Sequence, residues 1–454
     1  MIHQSRAVLP LLCVLATYPG LACAQPEEEA GPAVVRSGLS GHITVRPEID
    51  STADYRGFEI LVAVDNEGEP DTLGYAITDS TGFFSMDVEV AERGVYALIV
   101  SRRGDLLELG HLAVADGDSA SLNVALPTGS ARMRPRSQEN AAWQAYQNTR
   151  LQHDQNLIAL TQAEEYNESA VNLQISQTAM ILWDLREIYE GTMGAEVASA
   201  EAVVMNAGWN DSLVVAWGAE VSPENVQFGE VGRTVRQAMN RLHGSQAALE
   251  VLEDYTQRAI RDEHRAELMS ERVMAHLNQQ EHAEALAAAE RLSAEFPESA
   301  WAEWAARAAY EIQHLLPGMP APELIALDTA GVQVNLADLA GRYVVLEFYR
   351  PEDDVFQREV EGRNHLIADF GHDRVEFVSI SLQPDTLVNE AFFEERELPG
   401  VHIYGTTNLA RLYNVNVLPT RYLIDPDGHL VEKFVGGAMA ALYEYMILMD
   451  ENAN

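Results

Sequence analysis

The sequence predicts a multidomain α+β chain of three unlike parts: an N-terminal β-sandwich over 39–128, an all-α middle domain over 137–315 and a C-terminal α/β domain over 317–454. Three observations predict it. Short runs with period-two apolar alternation, separated by turn residues, fill the first part. The second is rich in Ala, Glu, Gln, Leu and Arg, with apolar residues recurring at three and four. The third carries continuous β-branched runs of the kind a buried parallel strand requires. A length of 454 residues suits roughly three domains, each able to bury a core, and 47% hydrophobic residues describe a globular chain.

The first residues read as a secretory signal over 1–24: Arg6 precedes an apolar stretch from Ala7 to Ala16, and Ala22 and Ala24 give a small-x-small site before Gln25. Cleavage after Ala24 removes Cys13 and Cys23, the only two cysteines, and leaves a periplasmic or secreted product without thiols. The alternative is a lipid anchor on Cys23, which follows Leu21-Ala22, although Gly20 stands where such signals usually have a bulky aliphatic residue. No later apolar run approaches the ~20 residues of a membrane span. Residues 25–38 are acidic and contain Gly and Pro, as a flexible leader does.

Charge excludes other classes. With 70 acidic against 30 basic residues the formal net is −40, a field that repels nucleic acid and anionic lipid. Lys433 is the only lysine. A GC-rich genome explains the missing lysines but not the acid excess. Work in concentrated salt, where charge is screened over ~3 Å at 1 M, explains both.

The sandwich strands are expected at His42–Val45, Phe58–Val64, Phe83–Val90, Val95–Val100 and Leu122–Leu126. The separators Asp65-Asn66-Glu67-Gly68, Asp79-Ser80-Thr81-Gly82 and Ala115-Asp116-Gly117-Asp118 tolerate tight turns. Thr78-Asp79-Ser80-Thr81-Gly82-Phe83-Phe84 followed by Gly94-Val95-Tyr96-Ala97-Leu98 resembles carboxypeptidase-regulatory-like sandwich modules. That resemblance implies a spacer or docking domain without chemistry.

Helices are expected over Asn148–Ala163 and Ala170–Tyr189, with breaks at Gly191–Gly194 and Val221-Ser222-Pro223. From Glu281 to Ala300 the pattern resembles the second helix and closing turn of a tetratricopeptide repeat, with Ala285 and Pro297 in place and Ala289 where an aromatic is common. A solenoid needs about three such units, so one hairpin packed on its neighbours is the expectation. His264, His276 and His282 are not at the i, i+4 separation of a helical metal site and are expected as solvated surface residues.

The last part opens with Ala321-Pro322, the strand Leu324–Leu327, the Gly-turn from Asp328 to Val334, the Leu336-to-Arg342 link, and the buried strand Val344–Tyr349. A second buried strand at Arg374–Ser381, a short helix at Leu409–Val415, Leu418-Pro419-Thr420 and a last hairpin at Arg421–Val431 follow. In this order of elements the chain, from Pro320 to Gly437, resembles the TlpA-like and AhpC/TSA-like branch of the thioredoxin superfamily. The fold implied is thioredoxin-like, and the activity implied is that of a thiol-disulfide oxidoreductase or peroxiredoxin-like enzyme.

The residues deny that chemistry its nucleophile, because a thiolate attacks in disulfide exchange. Aligning Phe348 and Tyr349 on the family's Phe-Trp, and Glu359 on its helix glutamate, sets Glu352 at the tryptophan of Trp-Cys-x-x-Cys and Asp353 and Phe356 at its two cysteines. A peroxiredoxin alignment instead sets Gln357 at the peroxidatic cysteine. The positions equivalent to the redox loop are thus Glu352, Asp353, Asp354, Val355 and Phe356. Asp353 or Asp354 is read as a helix N-cap, with a cation site or a carboxylate acid/base pair as the sharper alternative. Pro419 matches the family's cis-proline, and Tyr349, Phe356, Leu418, Pro419 and Thr420 are candidates for a peptide groove. No catalytic residue, cofactor or metal ligand is assigned. The expected function is binding or scaffolding of a protein or peptide partner in the cell envelope.

Overall fold

The computed structural model describes residues 34–66, 69–128, 133–163, 167–396 and 398–453. The signal, both cysteines, residues 25–33 of the leader and Glu67-Gly68 of the first separator lie outside the described residues. These fall into two compact units divided between Ala275 and His276.

The first unit begins with seven strands: β1 (Val35–Val45), β2 (Glu59–Asn66), β3 (Glu69–Ile77), β4 (Phe83–Val90), β5 (Gly94–Arg102), β6 (Asp105–Val114) and β7 (Ser119–Leu126). They form a three-stranded sheet, β4-β1-β7, and a four-stranded sheet, β3-β2-β5-β6. Alternate side chains from both sheets meet in one core, Leu39, Ile43, Ile60, Val62, Phe84, Val88, Leu98, Val100 and Leu112 among them, as the two-residue period of a half-buried strand dictates. Strand β1 starts inside the segment expected to be leader, because Val35 and Ser37 pair with Val90 and Val88. Strands β3 and β6 were not anticipated. In β6 the run Leu106, Leu107, Leu109 is exposed while Leu112, Ala113 and Val114 are buried, so apolar residues occupy both faces and erase the alternation.

Seven helices follow: α1 (Gln138–Thr161), α2 (Glu168–Ile188), α3 (Met193–Met205), α4 (Asp211–Glu220), α5 (Phe228–His243), α6 (Ser245–Arg258) and α7 (Asp262–Asn278). Ser137, Asn167, Thr192 and Asn210 start the first four by accepting a backbone N–H hydrogen bond, a cap that contributes about 1 kcal/mol. The helices share a core of Leu182, Trp183, Val203, Phe228, Val235, Leu252, Tyr255 and Leu268. His264 is buried, against the sequence expectation. Its Nε2 lies 3.1 Å from the Val226 carbonyl, its ring is 6.4 Å from that of Phe228, and burial lowers its pKa. The helix period alone did not reveal which face of α7 turns inward.

The second unit opens with the hairpin α8 (His282–Glu295) and α9 (Ala300–His314). After β8 (Ile325–Leu327) and β9 (Gln333–Asn335) come β10 (Tyr343–Tyr349), α10 (Asp354–Phe370), β11 (Val375–Ser381), α11 (Thr386–Glu395), β12 (Val401–Tyr404), α12 (Thr407–Leu412), β13 (Thr420–Ile424), β14 (Leu430–Val435) and α13 (Met439–Ala453). The main sheet has the order β12-β11-β10-β13-β14, with β10 parallel to β11 and antiparallel to β13. One face packs Leu346, Phe348, Val378, Ile380 and Tyr422 with Leu315 and Tyr310 of the hairpin end. The other packs Val345, Phe377 and Leu423 with Leu366, Leu442 and Met446. Polar contacts fasten α9 to this domain: Tyr310 donates to the Leu412 carbonyl at 3.0 Å, Asn414 donates to Glu311 at 2.7 Å, and Lys433 pairs with Glu311 at 2.8 Å. The hairpin is therefore built into the C-terminal unit.

Candidate functional site

Strand β10 runs through the middle of the main sheet and delivers the chain to the loop Arg350–Asp353 and the start of α10. Asp353 is the N-cap of α10: its Oδ1 accepts from the Val355 N–H at 2.8 Å and the Phe356 N–H at 3.1 Å. The helix dipole favours a carboxylate there. Exposed Asp354 occupies the first turn, and exposed Glu352 accepts from Gln383 Nε2 at 2.6 Å. Gln357, the residue of the peroxiredoxin alignment, donates to the Pro351 carbonyl at 2.8 Å. The three acids thus do separate jobs. Among the described residues no group of three or more His, Cys, Asp or Glu side chains could hold a metal ion.

Phe356 turns inward and is only 1% exposed. Its ring stacks on Tyr349 at 4.1 Å and lies 6.0 Å from Phe392, with Val360 and Leu398 completing an apolar cluster. Tyr349 is also interior, and burial, reinforced by Glu347, raises its hydroxyl pKa. The Leu418–Pro419 bond is cis. Pro419 is buried and its carbonyl accepts from Gly436 N–H at 2.8 Å, while buried Thr420 donates to the Val417 carbonyl at 2.6 Å. Of the five groove candidates, Tyr349, Phe356, Pro419 and Thr420 are therefore interior and Leu418 is half-buried. The sequence reading is corrected here: aromatic residues next to the loop pack on each other instead of lining a surface. Exposed apolar residues near these elements are Val417 before the cis-proline, Val435 at the end of β14 and Leu387 in the first turn of α11.

Sequence reasoning missed the most highly charged part of the interior. Glu347 on β10, Arg363 on α10 and Arg421 on β13 are all fully buried. Arg421 Nε meets Glu347 Oε1 at 2.7 Å, and its Nη1 meets Glu359 Oε2 at 2.8 Å. Arg363 Nε lies 3.3 Å from Glu347 Oε2, close enough for an ion pair but not aligned as a hydrogen bond. Ser379 donates to the same carboxylate oxygen at 3.1 Å, and Arg363 Nη2 reaches Ser379 Oγ at 3.1 Å and the Pro399 carbonyl at 2.5 Å. Glu359 also accepts from Met439 N–H at 2.9 Å. Two acids and two guanidiniums balance, joining β10, β11, β13, α10 and the start of α13 around one buried point.

The balance is uneven between partners. Burial pushes the Glu347 carboxyl up, but Arg421 and Arg363 together outweigh it and hold the group below the usual carboxylate range. Burial acts against both guanidiniums. Arg421, with two carboxylates, ends above its ordinary value, and Arg363, sharing only one, ends below. A signal for this network existed in the sequence: Glu347 interrupts the apolar run Val344–Tyr349, and Arg421 interrupts Thr420–Ile424. A charge in a strand buried on both faces requires a partner.

Residues 317–433 match the model of the AhpC/TSA family. The thiol-disulfide oxidoreductase ResA of Bacillus cereus is 30% identical over 120 residues, which are 26% of this chain and 69% of the relative. The protein of the same name from Oceanobacillus iheyensis is 33% identical over 108 residues, 23% of this chain and 55% of the relative. The crystal structure of the thioredoxin domain of a thiol-disulfide oxidoreductase from Bacteroides vulgatus is 21% identical, with a TM-score of 0.28, and the match covers 30% of this chain and 98% of that one.

Proposed function

We propose that this chain, which belongs to the AhpC/TSA family and is related there to thiol-disulfide oxidoreductases, binds a partner and does not exchange disulfides. It acts as an exported scaffold protein of the cell envelope, and its C-terminal thioredoxin-like domain presents a contact surface to a protein or peptide. One observation carries the reading: Asp353 caps a helix and Phe356 fills an aromatic cluster at the two positions aligned with the cysteines, and no cysteine follows Cys23. Neither side chain can form a mixed disulfide. The strand-rich N-terminal region, read as a β-sandwich of the carboxypeptidase-regulatory-like kind, serves as a spacer or docking module.

The contact surface consists of Val417, Leu418, Val435, Val355 and Leu387 around the cis-proline turn and the start of α10. These apolar side chains are exposed or half-buried and sit in the cis-proline turn or at the ends of α10, α11 and β14. Val417→Asp and Val435→Asp leave the interior untouched and should strip partners from a pull-down out of an envelope extract. Partners retained by both variants reject this surface.

The second reading, favoured by the ResA relatives, is a working oxidoreductase. Insulin reduction coupled to dithiothreitol and peroxide consumption by the mature chain separate the two. The scaffold reading expects neither rate above buffer, and turnover in either assay defeats it.

A further inference from the structure

The four-stranded sheet has a second face, turned away from the shared core, and its register shows what lies there. Leu61 pairs with Tyr75 on one side and with Ile99 on the other, and Ile99 pairs with Leu109. Ile99↔Leu109 completes a row that crosses all four strands at one level. Side chains of directly opposed residues share a face, so Tyr75, Leu61, Ile99 and Leu109 form a continuous apolar stripe. The next row is Ile77, Glu59, Ser101 and Leu106. In it Ser101 donates to Glu59 at 2.9 Å, and Ile77 and Leu106 flank that pair at the two edges.

This face is open. Tyr75 is 52% exposed, Ile77 54%, Leu106 63% and Leu109 51%, and Leu61 and Ile99 are half-buried between them. Together they present on the order of 500 Å² of apolar surface, near the top of the ~300–600 Å² range for the largest patch on an ordinary monomer. Its chemistry is unlike that of the chain, which carries a formal net of −40, since Glu59 is the only acid in the two rows.

We propose that a second copy of this chain covers the face, the two four-stranded sheets stacking through the Tyr75–Leu61–Ile99–Leu109 stripe about a two-fold axis. Two such patches bury about 1,000 Å² of apolar surface, and the surrounding rim brings the contact to the lower limit, ~1,200 Å², of stable protein interfaces. A two-fold contact needs only one self-complementary patch, and a flat sheet face stacked ~10 Å from its copy supplies it. Strongly acidic copies repel elsewhere, so association through this nearly uncharged face tightens as salt shortens the screening length from ~10 Å at 0.1 M to ~3 Å at 1 M.

Sedimentation equilibrium of the full mature chain at low and high salt tests the inference. The expected result is a monomer–dimer equilibrium that tightens with salt and weakens roughly tenfold or more in Leu109→Asp and in Tyr75→Asp. Both substitutions are on exposed side chains, and circular dichroism checks that the fold is unchanged. Hydroxyl-radical footprinting should show Tyr75 protected as protein concentration rises. A chain that stays monomeric at both salt levels overturns the proposal, as does a dimer indifferent to both substitutions. Concentration-independent protection of Tyr75 in a monomer overturns it too, assigning the face to another occupant.

Discussion

Replacing Arg421 with Met tests the buried charge network most directly. The change removes a guanidinium that holds Glu347 at 2.7 Å and Glu359 at 2.8 Å, two hydrogen bonds to charged groups worth about 1.5–3 kcal/mol each. Glu359 keeps its contact with the Met439 N–H and a side chain 13% exposed, so it loses less. Glu347 is fully buried and keeps only Ser379 and the poorly aligned Arg363. Removing one partner of such a pair costs about 3–5 kcal/mol, a large part of the ~5–15 kcal/mol that holds a domain folded. At roughly 2–4 °C per kcal/mol for a domain of this size, the C-terminal unit should melt about 10 °C lower.

The pH dependence has a definite sign. The folded Glu347 carboxyl titrates below the ~4.3 of an unfolded glutamate, so its contribution is complete above that value and is lost as pH falls through the folded one. In Arg421→Met only Arg363 and Ser379 still oppose burial and the carboxyl moves upward, so the deficit shrinks as acid neutralises it. A triple variant, Glu347→Leu, Arg363→Met and Arg421→Met, removes all the fully buried charges and should recover most of the loss, since apolar replacement of a whole buried network is often neutral. Scanning calorimetry of the full chain, with hydrogen exchange on α10 and β13 peptides to locate the transition, gives the numbers. A single variant melting within ~2 °C of the parent, or a triple variant worse than the single one, would refute the reasoning.

Asp353→Ala should cost about 1 kcal/mol through loss of the α10 cap, and Asp353→Asn nearly nothing; chemical denaturation of both distinguishes a cap from a carboxylate with chemistry. Phe356→Ala opens a cavity against Tyr349 and Phe392 and should cost about 3–5 kcal/mol by chemical denaturation. A fragment beginning at His276 should fold, whereas one beginning at Pro317 loses the Tyr310, Asn414 and Lys433 contacts and should melt lower. Equal melting of the two fragments would show the hairpin to be dispensable.

The parts of the C-terminal domain that were legible share one property: local residues determine them. The runs Val344–Tyr349 and Arg374–Ser381 read as buried strands, and β10 and β11 pair in parallel. Pairing across distance was not legible. That Glu347 and Arg421 are partners follows from the register of β10 against β13, which places them opposite each other, and no window of sequence contains both. The groove expectation failed for a related reason. Hydrophobicity marks Phe356 as apolar, but only the packing of Phe392 and Tyr349 determines that it faces inward. In the N-terminal sheets the strands with clean alternation were visible, and β6, apolar on both faces, was not.

Lys433 gives the C-terminal unit an unusual experimental property. It is the only lysine of the chain, its ammonium is tied to Glu311 of α9, and it lies over the Tyr422 ring at 5.5 Å. Amine-reactive dyes and acylating reagents therefore find one internal target. Its ion pair with Glu311 is broken, and the rest of its side chain uncovered, when the helical hairpin lifts from β14. The rate of single-site acylation is thus a direct clock for the opening of that joint, available in the unaltered protein.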